Sequence, residues 1–324
     1  MSMQAPSSVI LVRPRRFRPN PETAVDNTFQ TIAPTADPDE VARRARDEVT
    51  AVADALEAAG VTVHLFDDDD PTRPDSVFPN NWLSTHADGS VAVYPLFAPS
   101  RRGERRTDVL DLLRERYDVQ RVVDYSSLED DGLFLEGTGA MVLDHDRRVA
   151  YVSLSHRADP EALQRFCGDF GYEPVVFEAV DEHGIAIYHT NVMMCVASRF
   201  ALVGLDRIRD HARRREVAAR LADGGRAVIP LSAPQIRDFA ANALEVQGRS
   251  GPLLAMSQRA HRSLSSAQLA TIEESCQVLS LPLPTVELAG GSMRCMIAGV
   301  HLEPRRDAED YAGVSTSSRT MLSS

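Results

Sequence analysis

The pattern from which the fold can be predicted lies in residues 136–177, EGTGAMVLDHDRRVAYVSLSHRADPEALQRFCGDFGYEPVVF. Two apolar runs, 139–143 and 149–154, are separated by a polar turn, which is typical of two paired strands. Asp159 and Pro160 then supply a helix cap and a first-turn proline, and a further apolar run follows at 174–177. The stretch therefore predicts one module of strand, strand, helix and strand.

The same order of elements recurs along the chain. Three further modules are predicted, each in the order strand, strand, helix and strand. The first occupies 78–85, 91–96, 102–117 and 121–123, and the second 191–196, 200–205, 207–221 and 227–230. The third has strands at 243–246, 253–257 and 278–281, with a helix capped by Ser265 or Ser266 before the last strand. A fifth module is split between the chain ends, with one strand at 295–302 and the rest at 8–12, 38–59 and 61–65. Such a split would close a ring without exposed sheet edges. An ordinary doubly wound sheet would give the same repeated order, so periodicity alone leaves both open.

Five polar residues decide between these alternatives, because each stands at or next to the first strand of a module. They are separated by 55, 53, 53 and 53 residues by subtraction, and they are Asn81, Glu136, His189, Asn242 and Cys295. In a ring of five modules, equivalent positions converge on the axis. A thiol, an imidazole, a carboxylate and two amides would then share one pocket, a set suited to nucleophilic attack on a planar carbon.

Four segments at these positions resemble one known family: SVFPNNW at 76–82, LEGTG at 135–139, YHTN at 188–191 and ELAGGSMRCM at 287–296. In this order they resemble the guanidine-modifying, or amidinotransferase, superfamily, which includes arginine deiminases, dimethylarginine hydrolases and agmatine deiminases. The citrulline-utilisation hydrolase branch is the most similar, since it also shares the early segment from Arg13 to Gln30. The likeness spans about residues 8–303.

The resemblance implies a five-bladed, pseudo-symmetric α/β propeller with Cys295 as nucleophile, His189 as general acid and base, and Glu136 as the orienting carboxylate. Elementary chemistry agrees, because a free cysteine ionises near pH 8.5 and attack at neutral pH needs a nearby cation. That cation could be protonated His189, Arg294 or the substrate. Glycines at 290 and 291 would let the backbone pass close to a ligand.

Two asparagines distinguish this chain from arginine deiminases, which by resemblance carry aspartates at the positions of Asn81 and Asn191. A guanidinium offers only donors and suits carboxylates, whereas a neutral ureido group presents a carbonyl that an amide can pair. The asparagines therefore favour a ureido substrate over arginine. Phe78 and Asn80 are predicted as further substrate contacts of the same segment.

The substrate carboxylate is assigned by resemblance to Arg157, in the segment Ser155-His156-Arg157, although a surface arginine fits that position as well. Asn242 is left out of the predicted site, because a turn-forming asparagine explains it equally well. Cys167, Cys195 and Cys276 are predicted to be buried structural cysteines. The arginines at 101–106 and 213–215 are predicted to lie on solvated helix faces.

Composition excludes several classes of function. All 35 basic side chains are arginine, which removes lysine-dependent chemistry such as Schiff bases. A net charge of −12 is the wrong sign for nucleic acid or anionic membranes. The cysteine and histidine spacings predict neither disulfide nor metal, and neither a signal-peptide core nor a membrane span is apparent. We therefore expect a soluble, cytoplasmic protein that requires no cofactor.

Together these features predict a catalytic domain at 1–303, followed by a polar, disordered tail at 304–324. The predicted enzyme hydrolyses ureido or guanidino C–N bonds of an arginine-related amino acid, foremost citrulline to ornithine, ammonia and carbon dioxide through a covalent cysteine intermediate. The alternatives are an arginine deiminase or amidinotransferase, and a non-enzymatic five-fold ring that binds a partner. The only partner predicted is the small-molecule substrate, and a homo-oligomer is left open.

Overall fold

The computed structural model describes residues 4–31 and 37–305, which form five three-stranded sheets around one axis. In every sheet the middle strand pairs antiparallel with one neighbour and parallel with the other. This confirms the predicted five-bladed α/β propeller. The strands are β1 Ser8–Pro14, β2 Thr62–Asp68, β3 Leu83–Thr85, β4 Ser90–Val93, β5 Arg121–Asp124, β6 Met141–Asp144, β7 Val149–Ser153, β8 Glu173–Phe177, β9 Met194–Val196, β10 Phe200–Val203, β11 Ala227–Pro230, β12 Leu244–Gly248, β13 Gly251–Ser257, β14 Gln277–Leu281 and β15 Ala298–Val300.

The blade built from both chain ends closes the ring. Strand β1 lies between β15, to which it is antiparallel, and β2, to which it is parallel. Val9 is therefore opposite both Gly299 and Val63. The first strands of neighbouring blades contact one another around the axis, as β15 does with β3 and β9 does with β6 and β12.

The longer helices cover the outside of the blades and bury an apolar face, whereas the single turns Gly137–Ala140 and Met293–Met296 lie at the inner ends of their blades. In the longest, α1, the buried positions Ala45, Val49, Val52 and Leu56 follow the helical repeat. Asp159 accepts hydrogen bonds from the backbone N of Glu161 and Ala162 and begins α4, as predicted. The helices in the described residues are α1 Pro38–Ala58, α2 Thr107–Arg116, α3 Gly137–Ala140, α4 Pro160–Phe170, α5 His211–Ala222, α6 Ala233–Arg237, α7 Gln258–Ser263, α8 Ser266–Glu273 and α9 Met293–Met296.

The first strand of every blade begins one to five residues later than predicted, because a short turn precedes each strand. Helical or 3-10 turns occupy Pro79–Asn81, Gly137–Ala140, Thr190–Val192 and Met293–Met296, and Asn242 ends a turn closed by its own N–H on the carbonyl of Phe239. Each of these helical turns leads into its strand directly or after one apolar residue, Trp82, Met193 or Ile297, so the sequence has no polar break that separates turn from strand. The polar residues consequently lie on these turns, at the inner end of each blade.

The helix predicted over 102–117 also begins later, at Thr107, because Pro99–Glu104 forms a separate 3-10 turn. Of the predicted tail, only Pro304 and Arg305 are described, and the N–H of Arg305 donates to the carbonyl of Arg116 at 2.9 Å. Residues 306–324 lie outside the described part of the chain. No helix within 4–31 and 37–305 is both long and apolar enough to span a membrane.

A buried histidine between two blades is expected to make the fold acid-sensitive. His86 packs against the Phe170 ring at 4.4 Å, and burial lowers its pKa to about 3. In the unfolded chain it would titrate near 6.5, so below that pH the unfolded state binds the extra proton and stability falls until the folded group also titrates. By linkage, the free energy of unfolding at pH 5 is lower than at pH 7.5 by about 2 kcal/mol. Urea unfolding of wild type and H86Q at pH 7.5 and pH 5 should show a smaller loss in the variant. The exposed His183 provides the control variant H183Q. If the free energy of unfolding fell equally between pH 7.5 and pH 5 in wild type and in H86Q, His86 would not be the cause of the acid sensitivity.

Candidate active site

The turns at the inner ends of the blades enclose a small pocket near the axis. Cys295, His189, Asn81, Arg157, Phe78 and Asp75 all line it. Its free volume is about 10 Å³, which is barely enough for one water molecule. Residues more than 200 positions apart thus meet in one closed site, as the spacing of polar residues predicts.

Cys295 lies on α9 and is 3% exposed. Two side-chain amides donate to its sulfur, Nδ2 of Asn191 at 3.3 Å and Nδ2 of Asn242 at 3.2 Å. The Oδ1 of Asn242 accepts from the backbone N of Ser292 at 3.2 Å and of Arg294 at 3.0 Å. Asn242 therefore positions both the thiol and the turn that carries it.

His189 and Glu136 form a buried pair, and His189 lines the same pocket as Cys295. The Nε2 of His189 is 2.8 Å from Oε2 of Glu136, whose Oε1 accepts from the backbone N of Phe97 at 2.9 Å. The ring of His189 lies against Gly139, where a Cβ would come within 2.9 Å of Nδ1. Since Nε2 faces the carboxylate, Nδ1 is the nitrogen available for proton transfer.

The charges around this pair keep Glu136 ionised. Burial alone would raise the pKa of Glu136, but Arg157, the hydrogen bond with His189 and Arg101 outweigh it and lower that pKa. Burial lowers the pKa of His189, and Glu136 only partly opposes this. A neutral imidazole held by a carboxylate is able to accept a proton at neutral pH.

The predicted asparagines occupy different places around the pocket. The Oδ1 of Asn81 accepts from Nη1 of Arg101 at 3.0 Å, and its Nδ2 donates to Oδ1 of Asn80 at 3.1 Å. Asn80 itself lies behind Asn81, and its Nδ2 has no partner among the described residues. The Oδ1 of Asn191 is likewise buried and unpaired within that part of the chain.

Arg157 lies in the pocket, but its donors are already engaged. Its Nε donates to Oδ2 of Asp26 at 3.0 Å and its Nη2 donates to Oδ1 of the same residue. Nη1 is 3.5 Å from Oε2 of Glu136, and the guanidinium stacks 4.9 Å from the centre of the Tyr188 ring. Binding of a substrate carboxylate by Arg157, which remains a prediction, would therefore require Asp26 to leave.

Residues 20–31, which we call the covering segment, close the pocket. Nδ2 of Asn27 donates to the carbonyl of Ala289 at 3.2 Å, and the N–H of Thr31 to that of Leu288 at 3.0 Å. Gly290 has φ +78°, and a Cβ there would lie 2.4 Å from Asn27. The glycine thus gives space to the covering segment.

Sequence reasoning missed three residues of the site. Asn242 shares the 53-residue spacing, a signal that could have kept it in the predicted set. Asp75 immediately precedes the SVFPNNW segment; its Oδ2 accepts from Nδ2 of Asn20 at 2.9 Å, and its buried Oδ1 has no partner among the described residues. The prediction of a solvated face is wrong for Arg101, which is 2% exposed because the Pro99–Glu104 turn directs it inward onto Glu104 at 2.8 Å.

A comparison with family models identifies the family of the chain. The model of the eukaryotic N,N-dimethylarginine dimethylhydrolases matches residues 13–302. The chain belongs to this family. Its five-bladed fold and motifs place it in the guanidine-modifying pentein superfamily, as the sequence resemblance indicates. No curated protein sequence matches the chain.

Solved structures of the superfamily share the family's fold with this chain at low sequence identity. The N-terminal domain of ArgZ, an arginine dihydrolase of the ornithine–ammonia cycle in cyanobacteria, is similar with TM-score 0.70 and 19% identity over 91% of this chain and 98% of that domain. Unliganded AgrE matches with TM-score 0.71 and 21% identity, covering 93% of this chain but 40% of AgrE. A dimethylarginine hydrolase from Pseudomonas aeruginosa, solved with citrulline, gives TM-score 0.59 and 14% identity over 91% and 99%. Membership of this family supports a hydrolase acting on C–N bonds of arginine-related compounds.

The four thiols are expected to react very differently with an alkylating reagent. Burial raises the pKa of Cys167, Cys195 and Cys276 to about 12 each, so their reactive thiolates are scarce at pH 7. Iodoacetamide reaches Cys295 only when the pocket opens, as it must for a substrate, but it should still modify Cys295 first, in a phase that peptide mapping by mass spectrometry would locate and that C295S should lack. Modification of another cysteine at an equal rate would contradict Cys295 as nucleophile and favour a non-catalytic ring.

Proposed function

We propose that this chain is a cysteine-dependent hydrolase that converts citrulline and water to ornithine, ammonia and carbon dioxide. The observation that carries the proposal is the pair of side-chain amides, Asn81 and Asn191, beside a buried thiol. A neutral ureido group offers a carbonyl acceptor to such amides, and its NH groups can donate to their oxygens.

The charges of the pocket support a neutral reacting group. Glu136 is already engaged by His189 and two arginines, so it has little capacity to hold a further cation. Glu104 pairs with Arg101, and burial raises the pKa of Glu104 to about 8 although Arg101 opposes this. Asp26 is paired with Arg157, and Asp75 is the carboxylate among the described residues that line the pocket; burial raises the pKa of Asp75 too. A guanidinium would find few free anionic partners here.

The reaction proceeds in two balanced steps. In the first, the thiol gives its proton to His189 and its sulfur attacks the ureido carbon; the C–N bond to the terminal amine breaks, and ammonia leaves with the proton from His189. The product of this step is an S-carbamoyl cysteine that still bears the ornithine side chain. In the second, His189 takes a proton from water, the resulting hydroxide adds to the carbonyl carbon, and the C–S bond breaks as the proton on His189 returns to the sulfur; the released carbamic acid decomposes to ornithine and carbon dioxide.

The second candidate is the same attack on a guanidinium, as in an arginine deiminase or a dimethylarginine hydrolase. The unpaired Oδ1 of Asp75 in the pocket favours this candidate, because a carboxylate oxygen suits a guanidinium NH. The family match favours it as well. An amidinotransferase would use the same trio with an amine in place of water.

The test is incubation of the purified chain with arginine, citrulline, agmatine, dimethylarginine and succinylarginine, followed by amino-acid and ammonia analysis. Ornithine and ammonia formed from citrulline would support the proposal. Citrulline formed from arginine or dimethylarginine, with citrulline itself left intact, would overturn it in favour of the second candidate. Ornithine formed from arginine with citrulline as an intermediate would show that both groups are substrates.

A further inference from the structure

The ion pair between Asp26 and Arg157 connects the covering segment with the floor of the pocket. Arg157 is almost fully buried, with a side-chain exposure of 2%, while Asp26 on the segment is 17% exposed. Asp26 takes both Nε and Nη2, and Glu136 lies at Nη1. Arg157 thus has its forked face occupied by a carboxylate of the protein, in the geometry that a ligand carboxylate would adopt.

The closed pocket makes this ion pair a barrier to binding. A free volume of about 10 Å³ is too small for a ureido side chain, and the covering segment forms part of the wall through Thr23 and Asn27, so outward movement of this segment would admit such a substrate. Asp26 moves with it and leaves Arg157. Separation of the pair without replacement would leave a buried guanidinium without its anion, which is strongly unfavourable.

We propose that Asp26 determines the specificity of the site for free α-amino acids. The substrate's α-carboxylate takes the place of Asp26 on Arg157, and the displaced carboxylate of Asp26 then receives the α-ammonium. A zwitterion supplies one charge of each sign, so one ion pair within the protein is exchanged for two with the ligand and neither residue is left unpaired. This inference rests on the proposed function in one respect, that the pocket takes an arginine-related amino acid.

The exchange defines which relatives of the substrate are rejected. An N-acylated amino acid carries the carboxylate but not the ammonium, so Asp26 would face an uncharged amide. A decarboxylated amine could not replace Asp26 on Arg157. Both kinds of compound should therefore bind poorly, although their ureido ends are identical to that of citrulline.

The covering segment offers a matched control. Glu22 is a second carboxylate of this segment, and its Oε2 accepts from the backbone N of Ser100 at 3.0 Å. The variant E22Q weakens an anchor of the segment without touching Arg157. A purely structural role for Asp26 would make D26N behave like E22Q.

The experiment measures how amino acids protect Cys295 from iodoacetamide, a readout that does not require turnover. The ligands are citrulline, ornithine and arginine, each compared with its N-acetyl derivative. The measured ratio is the half-protecting concentration of the acetylated form divided by that of the free amino acid. In wild type and E22Q this ratio should be at least about 10. In D26N this ratio should approach 1, and in D26E part of it should return. Because Asp26 lies on a partly exposed loop, D26S provides a second variant should D26N fold poorly.

The outcomes separate the two proposals. If the ratio in D26N equals that in wild type, or if no free amino acid protects the thiol better than its acetylated form, the role of Asp26 is overturned even when citrulline is hydrolysed. If the ratio depends on Asp26 but citrulline yields no ornithine, the proposed reaction fails and the recognition of the amino-acid end is retained.

Discussion

The substitution C295S is expected to lower kcat for citrulline by at least about 1000-fold, because the nucleophile of the proposed reaction is lost. Serine is similar in size, and its hydroxyl can accept from the amides of Asn191 and Asn242 as the sulfur does. The hydroxyl is much harder to ionise than a thiol, and neutral His189 is a weak base for it. The fold and the binding of substrate should therefore survive while the chemistry does not.

Two measurements check this expectation. Steady-state rates of ammonia release compare wild type, C295S and the control C167S, whose thiol lies on α4 away from the pocket. Whole-protein mass spectrometry after acid quench should find an adduct of citrulline less ammonia in wild type but not in C295S. Turnover in C295S within about 10-fold of wild type would remove Cys295 from its role, and a matching loss in C167S would indicate damage to the fold instead.

The arrangement of blades could be predicted because four of the five blades are local units, and the fifth combines the two chain ends. Within each local blade the strands and helix follow one another within about 50 residues, and the polar residue at the head of each of the five blades repeats with nearly constant spacing. Ring closure then brings Cys295, His189 and Glu136 together without any need to predict side-chain contacts. The boundaries were less predictable, since only the apolar residue Ile297 separates the turn at Met293–Met296 from the strand that follows it.

The electrostatic connections of the site could not be read from the sequence, because they join residues without a shared pattern. Arg157 and Asp26 are 131 positions apart, and neither residue type nor spacing distinguishes them from surface charges. Arg101 stands in a run of arginines, and only the turn that precedes α2 directs it inward. Asn242 carried a spacing signal, but its contact with the sulfur depends on how two blades meet.

The choice between ureido and guanidino substrates is expected to change with the charge at position 81. In N81D, one oxygen keeps the hydrogen bond from Arg101, while the other replaces the amide that now donates to Asn80. The unpaired Nδ2 of Asn80 can meet that oxygen after rotation of its amide, so the change is tolerated. The pocket then gains a negative charge that favours a guanidinium over a neutral ureido group.

Asn191 is not equivalent to Asn81, because its Nδ2 donates to the sulfur at 3.3 Å. In N191D a carboxylate replaces that donor beside the nucleophile, which should slow both substrates alike. The ratio of kcat/KM for arginine to that for citrulline should therefore rise at least about 10-fold in N81D, the scale of one charge-assisted hydrogen bond. The double variant should show the same preference at a lower rate. An unchanged ratio in N81D would show that the amide at this position does not select the substrate. Selectivity would then have to arise elsewhere, foremost from Asp75, which lines the pocket and has an oxygen without a partner among the described residues.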